Sequence, residues 1–333
     1  MMPVDYLFRL DADSQIGTGH LMRCLAIADT LSAQGGRCGF LCKPLSSALL
    51  GLLSSHVYLP ITDDTEALSR LSELKPQWLI VDHYGLDIQF EQAAATQVAQ
   101  ILVLDDLADR HHQATLLLDQ GPLRQETEYR PLINGDCRLL LGPDYALLRP
   151  IYRQLRKNHC NEFRRGLIGF GGADPAHACL QTLHTLLDAE LIHHYQWTLL
   201  AGAANPDYTQ LHTLITQQQL PVTLLQHSDE VAQLLATHDF AIGAAGGMTW
   251  ERCCIGIPTV SIPIADNQQF NDAVIAHYQL GERLSLRELA APARLHAALD
   301  ALQQEADTYR QRGQALLDGL GLERIATLLR TIS

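Results

Sequence analysis

The sequence predicts an α/β protein made of two doubly wound parallel sheets, two Rossmann-like domains with a cleft between them. Three observations carry this expectation. Short apolar runs alternate with helical patterns from one end of the chain to the other, as parallel sheets with helices on both faces require. At 333 residues the chain is long for one hydrophobic core and reads as two domains. Three glycine-rich turns, at 17–19, 171–172 and 246–247, each follow a strand-like run and open a helix. Such turns fall at the carboxyl ends of strands, where open α/β sheets bind ligands.

Taken in order, apolar runs at 5–10, 37–42, 56–59, 78–82, 101–105, 115–118 and 138–141 predict the strands of the first sheet. Helix-like stretches lie between several of them, notably at 20–34, 64–74 and 87–98. The apolar stretch from Leu45 to Leu53 reads as an ordinary core helix, since Lys43 alone flanks it with positive charge. The pattern changes over 142–158, where Gly142, Pro143 and Pro150 punctuate the chain. A polar run from Arg153 to Arg165 then suggests a linker helix and a crossing loop. The predicted domains are therefore 1–152 and 153–333. A second alternation follows, with strands at 166–170, 196–201, 221–225, 239–243 and 258–263 and a strongly helical tail over 286–330.

Composition limits the function. With 47% hydrophobic and 18% charged residues the chain is ordinary for a soluble enzyme. The net charge of −13 is shared, with 11 Lys+Arg against 19 Asp+Glu up to Tyr152 and 13 against 18 beyond it. Neither half carries the basic footprint that nucleic acid or an anionic membrane calls for. The eight cysteines form no C-x-x-C pair and no paired zinc spacing, and adjacent Cys253 and Cys254 sit in an apolar helix pattern that predicts buried thiols. The N-terminal residues show no secretory pattern, and no uncharged apolar run approaches the roughly 20 residues a membrane span needs. The expectation is a soluble, cytoplasmic, monomeric protein with neither metal nor cofactor.

The chemistry concentrates in a few segments. Ile16-Gly17-Thr18-Gly19-His20 places free backbone N–H groups and a positive helix end beside a histidine. Met22 occupies the third glycine of a G-x-G-x-x-G fingerprint, so a dinucleotide site is not what this turn builds. His20 is either a structural histidine or a proton acceptor near a phosphate-bearing substrate. Strand-like 240–245 runs into Gly246-Gly247, and Met248 and Thr249 offer free amides to a diphosphate at the helix start. Glu251 either holds ribose hydroxyls or complements the helix dipole. Asn267 and Gln268, after the strand at 258–263, suit sugar hydroxyl or acetamido groups, or else Asp266 or Asn267 caps the next helix. Tyr84 ends the Val81-Asp82-His83-Tyr84 strand, as a substrate-orienting hydroxyl or a packing residue. The acid- and histidine-rich stretch 104–112 matches no metal-ligand spacing.

Together these segments resemble one family, the UDP-2,4-diacetamido-2,4,6-trideoxy-β-L-altropyranose hydrolases of pseudaminic acid biosynthesis (the PseG family). The resemblance rests on Arg9-Leu10-Asp11 with the 16–24 segment, Asp82-His83-Tyr84-Gly85, the 105–110 and 117–120 segments, and the 142–150 segment. It continues through Gly171-Gly172-Ala173-Asp174-Pro175, the Gly246 to Cys253 segment and Ala265-Asp266-Asn267-Gln268. It implies a GT-B fold like that of the MurG transferases, put to hydrolytic use. It also implies metal-independent cleavage between the anomeric carbon and the diphosphate oxygen, with inversion, as a step towards nonulosonic acid for flagellin glycosylation. His20 then maps to the catalytic base, with Tyr84 and Asn267 as further catalytic residues. The substrate-binding set is Gly17, Gly19, Gly246, Gly247, Met248, Thr249, Glu251 and Gln268. One departure is Asp13, where the family pattern has serine; an extra carboxylate there either acts on His20 or faces solvent.

Three rivals share parts of this pattern. A glycosyltransferase would use the same fold and UDP-sugar donor but pass the sugar to an acceptor hydroxyl. A non-catalytic sugar-nucleotide sensor would keep the UDP site and turn nothing over. A nicotinamide oxidoreductase fits least, because no glycine turn gives the full fingerprint.

Overall fold

The computed structural model describes residues 4–13, 18–158 and 163–332. Residues up to Arg149, together with the stretch from Gly319, form one compact unit, and Pro150–Asp318 form the second.

The first unit holds seven parallel strands: β1 (Tyr6–Leu10), β2 (Cys38–Cys42), β3 (Val57–Pro60), β4 (Trp78–Asp82), β5 (Gln100–Leu104), β6 (Leu116–Asp119) and β7 (Arg138–Leu141), in the order β3-β2-β1-β4-β5-β6-β7. Strands β1, β2 and β4 are buried along their whole length, which is why they read as apolar runs apart from Arg9 and Asp82. Side chains alternate between the two faces, so Phe8 and Leu10 join Phe40, Ile80 and Leu102 on one side. Leu7 joins Leu41, Leu79, Val81 and Ile101 on the other. Helix Gly19–Ala33 covers the first face with Leu21, Cys24, Ile27, Ala28 and Leu31. Helices Asp64–Leu74 and Ile88–Ala95 cover the second with Ala67, Leu71, Phe90 and Ala94. The order reverses between β1 and β4, which opens a crevice at their carboxyl ends.

The second unit holds six: β8 (Arg165–Gly169), β9 (Gln196–Leu200), β10 (Val222–Leu225), β11 (Phe240–Ala244), β12 (Thr259–Ile262) and β13 (Glu282–Arg283), all parallel, in the order β10-β9-β8-β11-β12-β13. Its reversal point lies between β8 and β11. β13 has only two residues, too few for any periodicity to announce it.

Two sequence expectations need correction. The Leu45–Leu53 stretch forms only the short helix Ser47–Leu52, which buries none of its residues; Leu45 and Leu53 at its flanks are the buried ones, and Leu52 is exposed. The 153–333 extent expected for the second domain also differs from the units seen. Tyr152 joins the second unit through a 2.6 Å hydrogen bond to Glu251. The last helix, Gly321–Thr331, belongs to the first unit: Leu322, Ile325, Ala326 and Leu329 recur on one face and pack into the Phe8 cluster. Gly321 permits this docking, because a Cβ there would fall 2.2 Å from the Ala146 carbonyl oxygen.

Candidate active site

At the β1/β4 reversal point of the first unit, two histidine–carboxylate pairs stand side by side. Asp82 closes β4 with no exposed surface, and His20 occupies the first turn of helix Gly19–Ala33, 5% exposed. His20 Nδ1 lies 2.6 Å from Asp82 Oδ1. Arg23, one helical turn on and so on the same face, donates to both Asp82 oxygens at 2.5 Å and to Asp106 Oδ2 at 2.9 Å. Burial alone would raise the Asp82 carboxyl; hydrogen bonds from Arg23 and His20 outweigh it and hold Asp82 below its ordinary value. An ionised carboxylate only accepts, so Nδ1 carries the proton of neutral His20. Arg23 Nη2 also approaches Nδ1, at 3.1 Å, and the shorter carboxylate contact sets the tautomer. Nε2 is left with its lone pair and takes no hydrogen bond among the described residues.

The neighbouring pair is wired differently. His83 Nδ1 accepts the Gly85 backbone N–H at 2.9 Å, and Nε2 donates to Asp11 Oδ2 at 3.2 Å. Both ring nitrogens are occupied, so His83 has no lone pair to offer. Asp11 also accepts from Arg9 at 2.8 Å and from the Lys43 backbone at 3.0 Å. Despite the upward push of burial, His83, Arg9 and Lys43 hold its carboxyl well below the usual range. Of the two histidines at this point, His20 alone keeps a ring nitrogen without a hydrogen bond among the described residues.

Tyr84 stands over His20 edge to face, ring centroids 4.6 Å apart, and is half exposed. Its hydroxyl donates to Asp106 Oδ2 at 3.2 Å, and burial followed by the Asp106 charge raises its pKa, so it stays protonated. Asp106 thus ties Tyr84 to Arg23. Behind it, buried Asp105, Asp119 and Tyr129 form a second network: the Tyr129 hydroxyl lies 2.9 Å from Asp105 and 2.8 Å from Asp119. Arg124 bonds Asp119 and the Asp106 carbonyl, which anchors the segment carrying the Asp106 side chain.

In the second unit, β11 runs into Gly246 and Gly247, and helix Met248–Ile255 begins there. Space stays open above the turn: a Cβ on Gly247 would meet nothing within 4 Å, and one on Gly246 would meet only Gln268 Nε2 at 3.7 Å. Thr249 is buried, its hydroxyl turned to the Ala244 carbonyl and Arg252. Its backbone N–H, expected to be free, donates to the Gly246 carbonyl at 3.0 Å, which among the described residues leaves the Gly247 and Met248 amides as the open donors. Glu251 lies in the helix's first turns and accepts the Tyr152 hydroxyl at 2.6 Å. The short 3₁₀ turn Asp266–Gln268 follows β12; Asn267 is exposed on it, and Gln268 accepts the Ile264 backbone N–H at 3.0 Å. No side-chain cap forms at that turn or at the helix Gln269–Tyr278 after it, so the capping alternative for Asp266 and Asn267 does not describe this segment.

The first unit therefore brings together His20 and Tyr84, with Gly19 at the helix start. The second gathers Gly246, Gly247, Met248, Thr249, Glu251, Asn267 and Gln268 at the ends of β11 and β12. Gly17 lies outside the described residues. Asp13 is exposed, and the ring partners of His20 are Asp82 and Arg23. Sequence reasoning gave no role to Asp82, Arg23 or Asp106. The i, i+3 spacing of His20 and Arg23 was a usable signal for the first pair, whereas Asp106 stood in a segment read against metal spacings and within the family resemblance, without a role of its own. Among the described residues no His/Cys/Asp/Glu group is placed to hold a metal ion, and no helix is long and apolar enough to cross a membrane.

Two parallel-sheet α/β units, each with its site-forming turns at a strand-order reversal, define a protein of the GT-B class. The MurG structure from Acinetobacter baumannii shares the fold over 98% of this chain and 100% of its own, with a TM-score of 0.65 and 14% identity. Residues 169–326 match the glycosyltransferase family 28 C-terminal domain. The chain is similar to the UDP-2,4-diacetamido-2,4,6-trideoxy-beta-L-altropyranose hydrolase of Campylobacter jejuni, 26% identical over 79% of this chain and 93% of that protein. It is also similar to the spore coat polysaccharide biosynthesis protein SpsG of Bacillus subtilis, 21% identical over 97% of this chain and 96% of that one.

Proposed function

We propose that this protein is an enzyme acting on a UDP-sugar, and specifically an inverting, metal-independent hydrolase of UDP-2,4-diacetamido-2,4,6-trideoxy-β-L-altropyranose. The carrying observation is the bare Nε2 of His20, whose other nitrogen is fixed by Asp82 at 2.6 Å. The similarity to the Campylobacter hydrolase supports the substrate. In this reading a water oxygen attacks the anomeric carbon and the bond to the diphosphate oxygen breaks with its electron pair. The water proton passes to His20 Nε2, and Asp82 stabilises the resulting imidazolium without taking the proton. Backbone donors of Gly247 and Met248 spread the charge developing on UDP. Glu251, already holding Tyr152, has further acceptor capacity for ribose hydroxyls. Asn267 and Gln268 take the acetamido groups, and Tyr84 walls the side of His20.

A second reading, glycosyl transfer from the same donor, is favoured by the family 28 match. Anomeric proton NMR of the purified protein with this UDP-sugar, in EDTA and without acceptor, separates the two. Free sugar and UDP, with the inverted anomer forming first, are the expected result. Turnover only after an acceptor is supplied would mean a transferase. UDP-sugar binding with no turnover under either condition would mean a sensor.

A further inference from the structure

Arg252 is a guanidinium buried where a protein alone has no use for a cation. It is 2% exposed, and its side chain folds back along helix Met248–Ile255 toward the first turn. There Nη2 donates to the Ala244 carbonyl at 2.7 Å and to Thr249 Oγ1 at 3.2 Å, while Nε is buried with no partner. Among the described residues it makes no salt bridge: Glu251, its neighbour in sequence, acts on it only through space and accepts from Tyr152. Burial pushes the guanidinium down to about 10, still charged at neutral pH. The backbone makes room for it at the β8/β11 reversal point. A Cβ on Gly243 would fall 2.3 Å from Arg252 Nη1 and 2.5 Å from the Gly169 carbonyl oxygen. A buried, unpaired cation at the positive end of a helix is unfavourable on every count, and each count reverses when an anion occupies the turn above it.

We infer that Arg252 is the buried electrostatic partner of the diphosphate held at the Gly246–Gly247 turn, compensating its charge from beneath the backbone. This rests on the UDP-sugar reading above. The field of Arg252 adds to that of the helix amides and selects a nucleoside diphosphate over an uncharged nucleoside. Its charge does this work, and the two hydrogen bonds to Ala244 and Thr249 serve to aim it.

Titrations of UDP and uridine against wild type, Arg252→Gln and Arg252→Lys, each checked for folding by circular dichroism, test the inference. Arg252→Gln keeps a donor and removes the charge. It is expected to weaken UDP on the order of 10–100-fold and uridine less than about twofold. Arg252→Lys, which keeps the charge and loses the fork, is expected to restore most of the UDP affinity. Equal losses for UDP and uridine, unchanged UDP affinity in Arg252→Gln, or a lysine variant no better than glutamine would each overturn the assignment. A wild-type protein that binds no UDP would overturn the functional reading and this inference with it. Wild-type binding with an indifferent Arg252→Gln overturns the inference alone.

Discussion

Replacing His20 by asparagine tests the catalytic reading where the structure is most specific. The substitution removes Nε2, among the described residues the one ring nitrogen at the β1/β4 reversal point without a hydrogen bond, and keeps a short polar side chain near Asp82. A general base is worth about 10²–10⁴ in rate, or about 2.7–5.5 kcal/mol of barrier, and that is the expected fall in kcat. The structural cost is smaller. Asp82 loses one hydrogen bond of a charged kind, worth about 1.5–3 kcal/mol, and retains both bonds from Arg23 at 2.5 Å. The variant therefore folds, and its far-UV circular dichroism matches wild type. UDP release under saturating substrate is the assay, with KM followed separately: a base acts in the transition state, so KM stays close to wild type. His20→Ala should recover part of its turnover in added imidazole, which supplies the missing lone pair. A kcat within about tenfold of wild type would refute the assignment of His20 as base. A rise in KM at unchanged kcat would make His20 a binding residue.

Asp82→Asn should lower the melting temperature at neutral pH, because Arg23 and His20 lose a buried charge, a loss of about 3–5 kcal/mol for a broken buried pair that Asp106 reduces by keeping Arg23 partly paired. The sign with pH follows from the lowered Asp82 value: its stabilisation is fully present above the ordinary carboxylate value of 3.8 and is lost as pH falls through the lower folded value. Wild-type stability should thus drop below about pH 4, and that drop should be shallower in Asp82→Asn, read by thermal melts across the acid range. Tyr129→Phe removes the hydroxyl between Asp105 and Asp119, whose carboxyl burial already raises. It should cost about 1–3 kcal/mol in a urea titration, and an unchanged midpoint would mean the network is not a stabilising one. Ile325→Ala, at a fully buried position of the last helix, should cost about 2–5 kcal/mol in the first unit, measured in the same way. A loss confined to the second unit would contradict the docking of that helix.

The strands were legible because their burial is written in composition: β1, β2, β4 and β11 are buried at every position and read as apolar runs, with Arg9 in β1 and Asp82 at the end of β4 the charged exceptions. The Gly246-Gly247 turn was legible because β11 ends at Ala244 and the next helix begins at Met248, whereas the helix after Gly171-Gly172 begins only at Ala178. What periodicity cannot express is which surface a segment meets. The Leu45–Leu53 run and the helix Gly321–Thr331 are both apolar enough to be core, yet the first buries only its flanks Leu45 and Leu53 in the Phe8 cluster, with Leu49 and Leu50 half-buried against it, while the second, from the far end of the chain, packs a whole face on that cluster. Chain order argued for placing that helix with its neighbours in sequence; the close approach of Gly321 to Ala146 decides otherwise.

The candidate site was legible to the same depth. His20 and Tyr84 stood out because a histidine at a glycine turn and a tyrosine at a strand end are chemically conspicuous. Asp82, Arg23 and Asp106 were not, since each is an ordinary charged residue until the fold sets Asp82 and Arg23 at the imidazole and ties Asp106 to Arg23 and Tyr84. The comparison of His20 with His83 shows why that matters for function. Each is a histidine 2.6–3.2 Å from a buried aspartate, and the sequence set His20 apart only by its glycine turn and the family resemblance, not by the hydrogen bonds that distinguish the two rings. A single backbone N–H, that of Gly85, consumes the second nitrogen of His83, and the proposed proton transfer rests on the open Nε2 of His20. The assignment of chemistry to one histidine rather than its neighbour therefore follows from the path of one turn, which no side-chain pattern records.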